Sequence, residues 1–212
     1  DRPAPPRSWM PATTPAAKSS SVHSMSSFSM NGSPTWTLGR LVGPVSVNVS
    51  HREYSQHGFI PGIAERMGRY GLPPGSLEIE IPEADLIRNP GLGRDLSAQL
   101  REVGVALSLD EFGKGISDLS FLRQLAVRQV KLSKAAVHEI AREGDGGGSR
   151  LAKTLIDIGH NLDLAVVGEA VETEAQVEFL RSHGCDQLQG QWFSEPLLPA
   201  AVREMLGQRH HA

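Results

Sequence analysis

The chain has 212 residues, 39% of them hydrophobic, and a formal net charge of -3 at pH 7, which predicts one domain with a real core. The slightly acidic balance gives no overall basic field, so we expect no nucleic acid polymer as a partner and no recruitment to an anionic membrane. One cysteine, Cys185, excludes an internal disulfide and fits a reducing cytoplasm, and no apolar run approaches the roughly 20 residues of a membrane span.

Two regions differ in composition. Residues 1–35 are rich in Ser, Pro, Ala and Met and have no hydrophobic periodicity, which predicts a disordered or linker segment. The folded domain is expected over 36–212. Its predicted strands lie at 45–50, 77–81, 105–109, 129–132, 165–167 and 187–189. Helices are predicted at about 55–70, 92–103, 117–125, 134–143, 150–161, 173–183 and 199–206.

Each predicted strand is followed by a helix, and this strict alternation indicates parallel strands joined by helical crossovers. A doubly wound sheet and a barrel of the (βα) type both satisfy the pattern. No Gly-x-Gly-x-x-Gly follows the first strand, which weakens the dinucleotide-binding version of the doubly wound sheet.

Polar side chains lie near the end of nearly every predicted strand: Asn48, Glu80, Asp110, Glu111, Lys131, Glu169 and Gln189. In a barrel the carboxyl ends of the strands meet at one mouth, where active sites lie. Oxygen ligands of this kind suit Mg²⁺ or Mn²⁺, and a lysine beside them suits a phosphoryl group or its attacking water. Any one of these residues also fits a helix cap or a turn, so the pattern alone leaves both interpretations open.

Six stretches resemble, in order, the motifs of the EAL domain family. In this chain they are Val-Ser-Val-Asn-Val-Ser at 45–50, Leu-Glu-Ile-Glu-Ile-Pro-Glu at 77–83, Asp-Glu-Phe-Gly-Lys-Gly-Ile-Ser at 110–117, Val-Lys-Leu-Ser-Lys at 130–134, Glu-Ala-Val-Glu-Thr at 169–173 and Gly-Cys-Asp-Gln-Leu-Gln-Gly at 184–190. The family's counterparts include Val-Asn-Leu-Ser, Asp-Asp-Phe-Gly-Thr-Gly-Tyr, Leu-Lys-Ile-Asp-Arg, Ala-Glu-Gly-Val-Glu-Thr and Gly-Cys-Asp-x-x-Gln-Gly. The resemblance covers residues 36–206.

The resemblance implies an α/β fold, a modified (βα)₈ TIM-type barrel that is incomplete at its N-terminal end. It implies hydrolysis of cyclic di-GMP to pGpG with two Mg²⁺ or Mn²⁺ ions. By the same match, Asn48, Glu80, Asp110 and Glu111 stand at metal-ligand positions, and Lys131 and Glu169 at catalytic positions. Supporting or ligand-lining positions fall on Glu83, Glu172 and Gln189.

Several positions depart from the family pattern. We expect the Glu-Ala-Leu segment, with a metal-ligating glutamate, to be missing before Asn48, leaving an open barrel edge for another protein or domain to cover. Glu111 replaces an aspartate, and an error of about 1 Å in ligand placement can cost on the order of 100-fold in rate. Lys114 replaces a threonine, and three interpretations are open. The lysine binds phosphate, it pairs with the carboxylates in place of a cation, or it is a solvated loop residue.

These departures favour a degenerate EAL domain that acts as a cyclic di-GMP receptor or regulatory module. The alternatives are an active metal-dependent phosphodiesterase and a protein-interaction module without nucleotide binding. A homodimer through the 116–125 region is a further expectation from the resemblance, based on the apolar stripe of Ile116, Leu119, Phe121 and Leu122. Core packing explains the same stripe equally well.

Overall fold

A computed structural model describes residues 44–114, 119–140, 146–198 and 201–202. The segment 1–35 and most of the predicted helix at 199–206 lie outside the described residues. The strands are β1 (Val45–Asn48), β2 (Leu77–Pro82), β3 (Ala106–Phe112), β4 (Gln129–Leu132), β5 (Ala165–Gly168) and β6 (Gln187–Leu188). The helices are α1 (His51–Tyr54), α2 (Phe59–Tyr70), α3 (Glu83–Arg88), α4 (Pro90–Glu102), α5 (Leu119–Leu122), α6 (Lys134–His138), α7 (Gly146–Asn161) and α8 (Glu174–Ser182).

The strands form one parallel sheet in the order β1-β2-β3-β4-β5-β6. Each strand therefore lies beside the next one in the chain, with helices in the connections, as in a (βα) barrel. Within the described residues β1 and β6 are not paired with each other, so the sheet is a curled, incomplete barrel. The expected fold class is thereby confirmed.

The two faces of the sheet differ in chemistry because successive side chains of a strand point to opposite faces. One face carries the buried apolar side chains that pack against the helices, such as Ile79, Ile81, Leu107, Leu109 and Val130. The other, concave face carries polar side chains two residues apart on each of the first four strands: Ser46, Asn48, Glu78, Glu80, Ser108, Asp110, Gln129 and Lys131. The hydrophobic core therefore lies between sheet and helices, and the barrel interior is polar.

The loop after β5 is fixed by a capping arrangement at the start of α8. The Thr173 hydroxyl accepts a hydrogen bond from the Gln176 backbone N–H at 3.3 Å, and the Gln176 side-chain oxygen accepts from the N–H groups of Glu172 and Thr173 at 2.7 and 3.1 Å. The amide nitrogen of Gln176 donates to the Val137 carbonyl at 3.2 Å. These bonds satisfy helix-terminal donors and tie the loop to α6.

Several predicted boundaries were wrong, and one helix was not predicted. Strand β3 continues to Phe112, three residues beyond its predicted end, because a register shift after Leu109 lets Phe112 pair with Leu132. Helix α3 was not predicted, because it begins at Glu83 directly after β2 and no loop separates the two elements. By contrast, β4 spans the predicted residues.

Two further expectations concern surfaces. In the apolar stripe at 116–125, Phe121 and Leu122 belong to the core, so core packing explains these two residues. Leu119 is partly exposed, and Ile116 lies outside the described residues. Among the helices of the described part of the chain, none has the length and apolar character needed to cross a membrane.

Candidate functional site

The parallel register brings the polar strand ends to one edge of the sheet. Asn48 lies beside Glu80 in the pairing of β1 with β2, and Asp110 lies beside Pro82 in the pairing of β2 with β3. Leu132 lies beside Gly168, so Glu169 follows directly at the carboxyl end of β5. The edge of the sheet therefore gathers several acids around Lys131.

Lys131 is at the centre of this group. Its Nζ lies 2.7 Å from Glu80 Oε2 and also bonds to Glu169 Oε1, and the exposed fractions of the Lys131, Glu80 and Glu169 side chains are 4%, 5% and 10%. Charge-assisted hydrogen bonds of this kind are strong in a poorly solvated site. The three side chains form what we call the Lys131 triad.

Burial and charge act in opposite directions on the triad. Burial alone lowers the pKa of Lys131, but the carboxylates of Glu80 and Glu169 and the hydrogen bonds to both outweigh it, so the pKa rises above its ordinary value. Burial raises the pKa of Glu169, and the ammonium of Lys131 opposes this effect. The charges of Asp110 and Glu80 raise the pKa further, so the pKa of Glu169 lies above its ordinary value. Lys131 therefore stays charged at neutral pH, and Glu169 takes up a proton more readily than an exposed glutamate.

Asp110 and Glu111 lie on the irregular end of β3. Asp110 Oδ1 accepts a hydrogen bond from the Glu111 backbone N–H at 2.7 Å. Glu111 has a positive φ of 56°, a conformation that costs a residue with a β-carbon about 1–2 kcal/mol. Its carboxylate pairs with the Lys114 ammonium at 2.7 Å, and both side chains are substantially exposed. The Glu111 carboxylate is thus held by an exposed lysine.

The other expected site residues take different places. Glu83 is buried, and its Oε2 accepts from the Gly113 N–H at 3.4 Å. Glu172 is exposed and pairs with His138 at 3.6 Å, apart from the triad. Asn48 is exposed and Gln189 is half-buried at their strand ends, and the backbone N–H of Gln189 donates to the Gly168 carbonyl at 2.8 Å.

The oxygen donors suit a divalent ion in kind, but their arrangement does not. Glu80 is paired with Lys131, Glu111 is paired with Lys114, and one Asp110 oxygen accepts a backbone hydrogen bond. Across the described ranges, no three His, Cys, Asp or Glu side chains are grouped so that they could hold one metal ion. As arranged here, the expected ligands do not fit a divalent ion.

A second polar layer lies below the triad, and sequence reasoning missed it. Glu78 is buried, and its Oε1 accepts hydrogen bonds from Ser46 Oγ at 2.7 Å and Gln129 Nε2 at 2.8 Å. Arg128 lies 3.9 Å from the second oxygen of Glu78. Glu78 and Gln129 precede Glu80 and Lys131 by two residues, and this spacing is the signal that marks the layer.

Ala170, directly after Glu169, was also missed. Its φ is 53°, a left-handed conformation that favours glycine, and the matching family motif has glycine there. Positive φ thus occurs at Glu111 and Ala170, each directly after a carboxylate of the site. Strained backbone of this kind is concentrated at functional sites.

Comparison with known proteins identifies relatives. A sequence model described as the EAL domain matches residues 24–196. The signaling protein YkoW of Bacillus subtilis is 33% identical over 162 residues, which cover 76% of this chain and 20% of YkoW. MucR of Pseudomonas aeruginosa, a bifunctional diguanylate cyclase/cyclic di-GMP phosphodiesterase, is 31% identical over 153 residues, which cover 72% of this chain and 22% of MucR. The chain spans about a fifth of the length of these relatives.

Solved structures give the same result. A MucR phosphodiesterase in complex with c-di-GMP superposes with a TM-score of 0.74 at 30% identity, covering 79% of this chain and 68% of that one. The EAL domain of Mycobacterium smegmatis DcpA superposes with a TM-score of 0.73 at 30% identity, covering 82% and 78%.

Proposed function

The chain belongs to the EAL domain family, and from this we propose that it is a signalling domain that binds cyclic di-GMP at the Lys131 triad and does not turn it over efficiently. The observation that carries the proposal is the buried ammonium of Lys131 at the carboxyl ends of the strands, held between Glu80 and Glu169. An ammonium has three N–H donors. Two of them bond to the carboxylates, and we propose that the third donates to a phosphate oxygen of the nucleotide.

The charge of the site sets a condition on binding. Glu80 and Glu169 bond to the Lys131 ammonium, and the Asp110 charge acts on Glu169. Three ionised carboxylates with one ammonium leave two formal negative charges near a ligand that is itself anionic. The raised pKa of Glu169 offers a way to reduce this repulsion, because a protonated Glu169 removes one charge and gains an O–H donor. We therefore propose that nucleotide binding is linked to proton uptake at Glu169.

Slow turnover is proposed because the expected metal ligands do not converge. Two-metal hydrolysis needs two ions about 3.5–4 Å apart, with both held by shared oxygen ligands. Here Glu111 is paired with the exposed Lys114, and Glu80 is paired with Lys131. Binding tolerates this arrangement better than catalysis, since only interactions that strengthen in the transition state accelerate a reaction.

The second candidate is an active phosphodiesterase that uses Mg²⁺ or Mn²⁺. The excess of carboxylates around Lys131 favours it, because a metal ion would neutralise the same charges that a proton on Glu169 neutralises in the first proposal. The two candidates therefore differ in which cation accompanies the nucleotide.

Calorimetric titration with cyclic di-GMP in EDTA tests the proposal. We expect saturable binding by the unaltered chain and at least a tenfold weaker affinity for Lys131→Met, because loss of one charge-assisted hydrogen bond costs about 1.5–3 kcal/mol. Lys153→Met is the matched control, since Lys153 pairs with Asp157 on the exposed face of α7. Absence of binding in EDTA, or equal weakening in both variants, would contradict binding at the triad.

A further inference from the structure

We propose that Lys114 is a positioning residue that holds the Glu111 carboxylate at the rim of the site and thereby weakens divalent metal binding by this chain. The inference deepens the proposed function, because it names one residue that contributes to the mismatch between the expected ligands and a metal ion. It depends on the location of the site but not on nucleotide binding itself.

The backbone fixes the Lys114–Glu111 pair. Residues 111–114 form a tight turn that is closed by a hydrogen bond from the Lys114 N–H to the Glu111 carbonyl at 3.1 Å. Glu111 and Gly113 both have positive φ in this turn, 56° and 86°. A closed turn brings its first and last residues together, and the two side chains meet at 2.7 Å.

The turn is held from three sides. Gly113 N–H donates to Glu83 at 3.4 Å, and the Ser133 N–H donates to the Phe112 carbonyl at 3.1 Å. A β-carbon at Gly113 would lie 2.4 Å from Leu155 Cδ1, so the turn packs directly on α7. These contacts anchor the backbone of the turn, so the direction of the Glu111 carboxylate depends on its side-chain rotamer and its partner.

Lys114 selects that rotamer. The Lys114 ammonium bonds to Glu111 Oε1, so a divalent ion at the neighbouring Asp110 that used this oxygen would have to displace Lys114. A positive charge at the rim also repels a divalent ion directly. The family motif has threonine at this position. Threonine has no charge with which to hold the Glu111 carboxylate or to repel the ion.

The exposure of the Lys114–Glu111 pair sets how strongly Lys114 can change the affinity for Mn²⁺. The Lys114 and Glu111 side chains are 65% and 45% exposed, and exposed pairs alter an equilibrium by about twofold to fivefold. Removal of the repelling charge adds to this. We expect Lys114→Thr to tighten Mn²⁺ binding by about fivefold or more.

Binding of Mn²⁺ alone, measured by the electron paramagnetic resonance signal of the free ion, tests the inference. Lys114→Thr is compared with Lys153→Thr, which breaks an exposed lysine–carboxylate pair at 2.5 Å on α7. The inference predicts tighter Mn²⁺ binding for Lys114→Thr and no change for Lys153→Thr. Equal affinities in both variants, or tight binding by the unaltered chain that Lys114→Thr does not improve, would overturn it.

A double variant separates positioning from simple charge. If Lys114→Thr acts by releasing Glu111, the gain disappears when Glu111→Gln is added, because the carboxylate is then absent. A gain that persists in the double variant would show that Lys114 only repels the ion, and the positioning role would be wrong. Thermal unfolding of each variant confirms that it is folded. Calorimetry with cyclic di-GMP in EDTA is run in parallel, so loss of nucleotide binding would defeat the proposed function without affecting the Mn²⁺ comparison.

Discussion

The structure predicts a large loss of stability for the substitution Lys131→Met. The substitution keeps the length of the side chain but removes the ammonium between two carboxylates whose side chains are 5% and 10% exposed. Breaking a buried ion pair by removing one partner costs about 3–5 kcal/mol, because the remaining charge is buried without compensation. At neutral pH we expect the free energy of unfolding to fall by this amount.

The loss depends on pH with a definite sign. Burial raises the pKa of Glu169, and without the ammonium this effect is no longer opposed, so the folded variant binds more protons than the unfolded chain. The stability of the variant then falls as pH rises from the unfolded pKa through the folded pKa of Glu169. The difference in free energy of unfolding between the variant and the unaltered chain is therefore smaller at about pH 5 than at about pH 8.

Urea unfolding at both pH values measures these differences. Lys153→Met, which removes an exposed lysine, is expected to cost less than about 0.5 kcal/mol at either pH. Adding Glu169→Gln to Lys131→Met should recover part of the loss at the higher pH, because one buried charge is removed. A loss below about 1 kcal/mol for Lys131→Met, or one that is the same at both pH values, would refute the account of the triad.

Three further predictions concern the same region. Ala170→Gly should raise the free energy of unfolding by about 1 kcal/mol in urea titration, because φ is 53° there and glycine adopts it without a steric cost. Gly113→Ala should lower it by about 2 kcal/mol or more, since φ is 86° and the added β-carbon would lie 2.4 Å from Leu155 Cδ1; a neutral result would mean that the turn can move. The affinity for cyclic di-GMP in EDTA should rise as pH falls from about 8 to about 6, because the raised pKa of Glu169 favours the protonated form beside an anion; calorimetry should show this slope reduced in Glu169→Gln.

Most of the fold could be predicted because strand–helix alternation is a local property of the sequence. The apolar residues of β4 and the polar break after it placed that strand correctly. The end of β3 could not be placed in this way, because its extension to Phe112 depends on pairing with Leu132 across an irregular register. Helix α3 was missed for a related reason: it begins immediately after β2, without the loop that marks a boundary.

The sequence was enough to predict where the site lies, but not which side chains form ion pairs there. Parallel strands carry Glu80, Asp110 and Lys131 to one edge, and the sequence alone indicates this. The partner of Lys131 is decided in three dimensions, since Lys131 reaches Glu80 across β3, where the small Ser108 lies beside Glu80 in the register. Pairing of Lys114 with Glu111 was one of three interpretations, and the turn geometry supports it.

A single-turnover assay tests our proposal that this chain binds cyclic di-GMP without efficient turnover. The protein is mixed in excess over cyclic di-GMP with Mn²⁺ present, and the nucleotide is separated by chromatography over time. We expect the nucleotide to remain bound and to be recovered intact. Conversion to pGpG that requires Mn²⁺ and is lost in Lys131→Met would contradict the proposal and establish the phosphodiesterase.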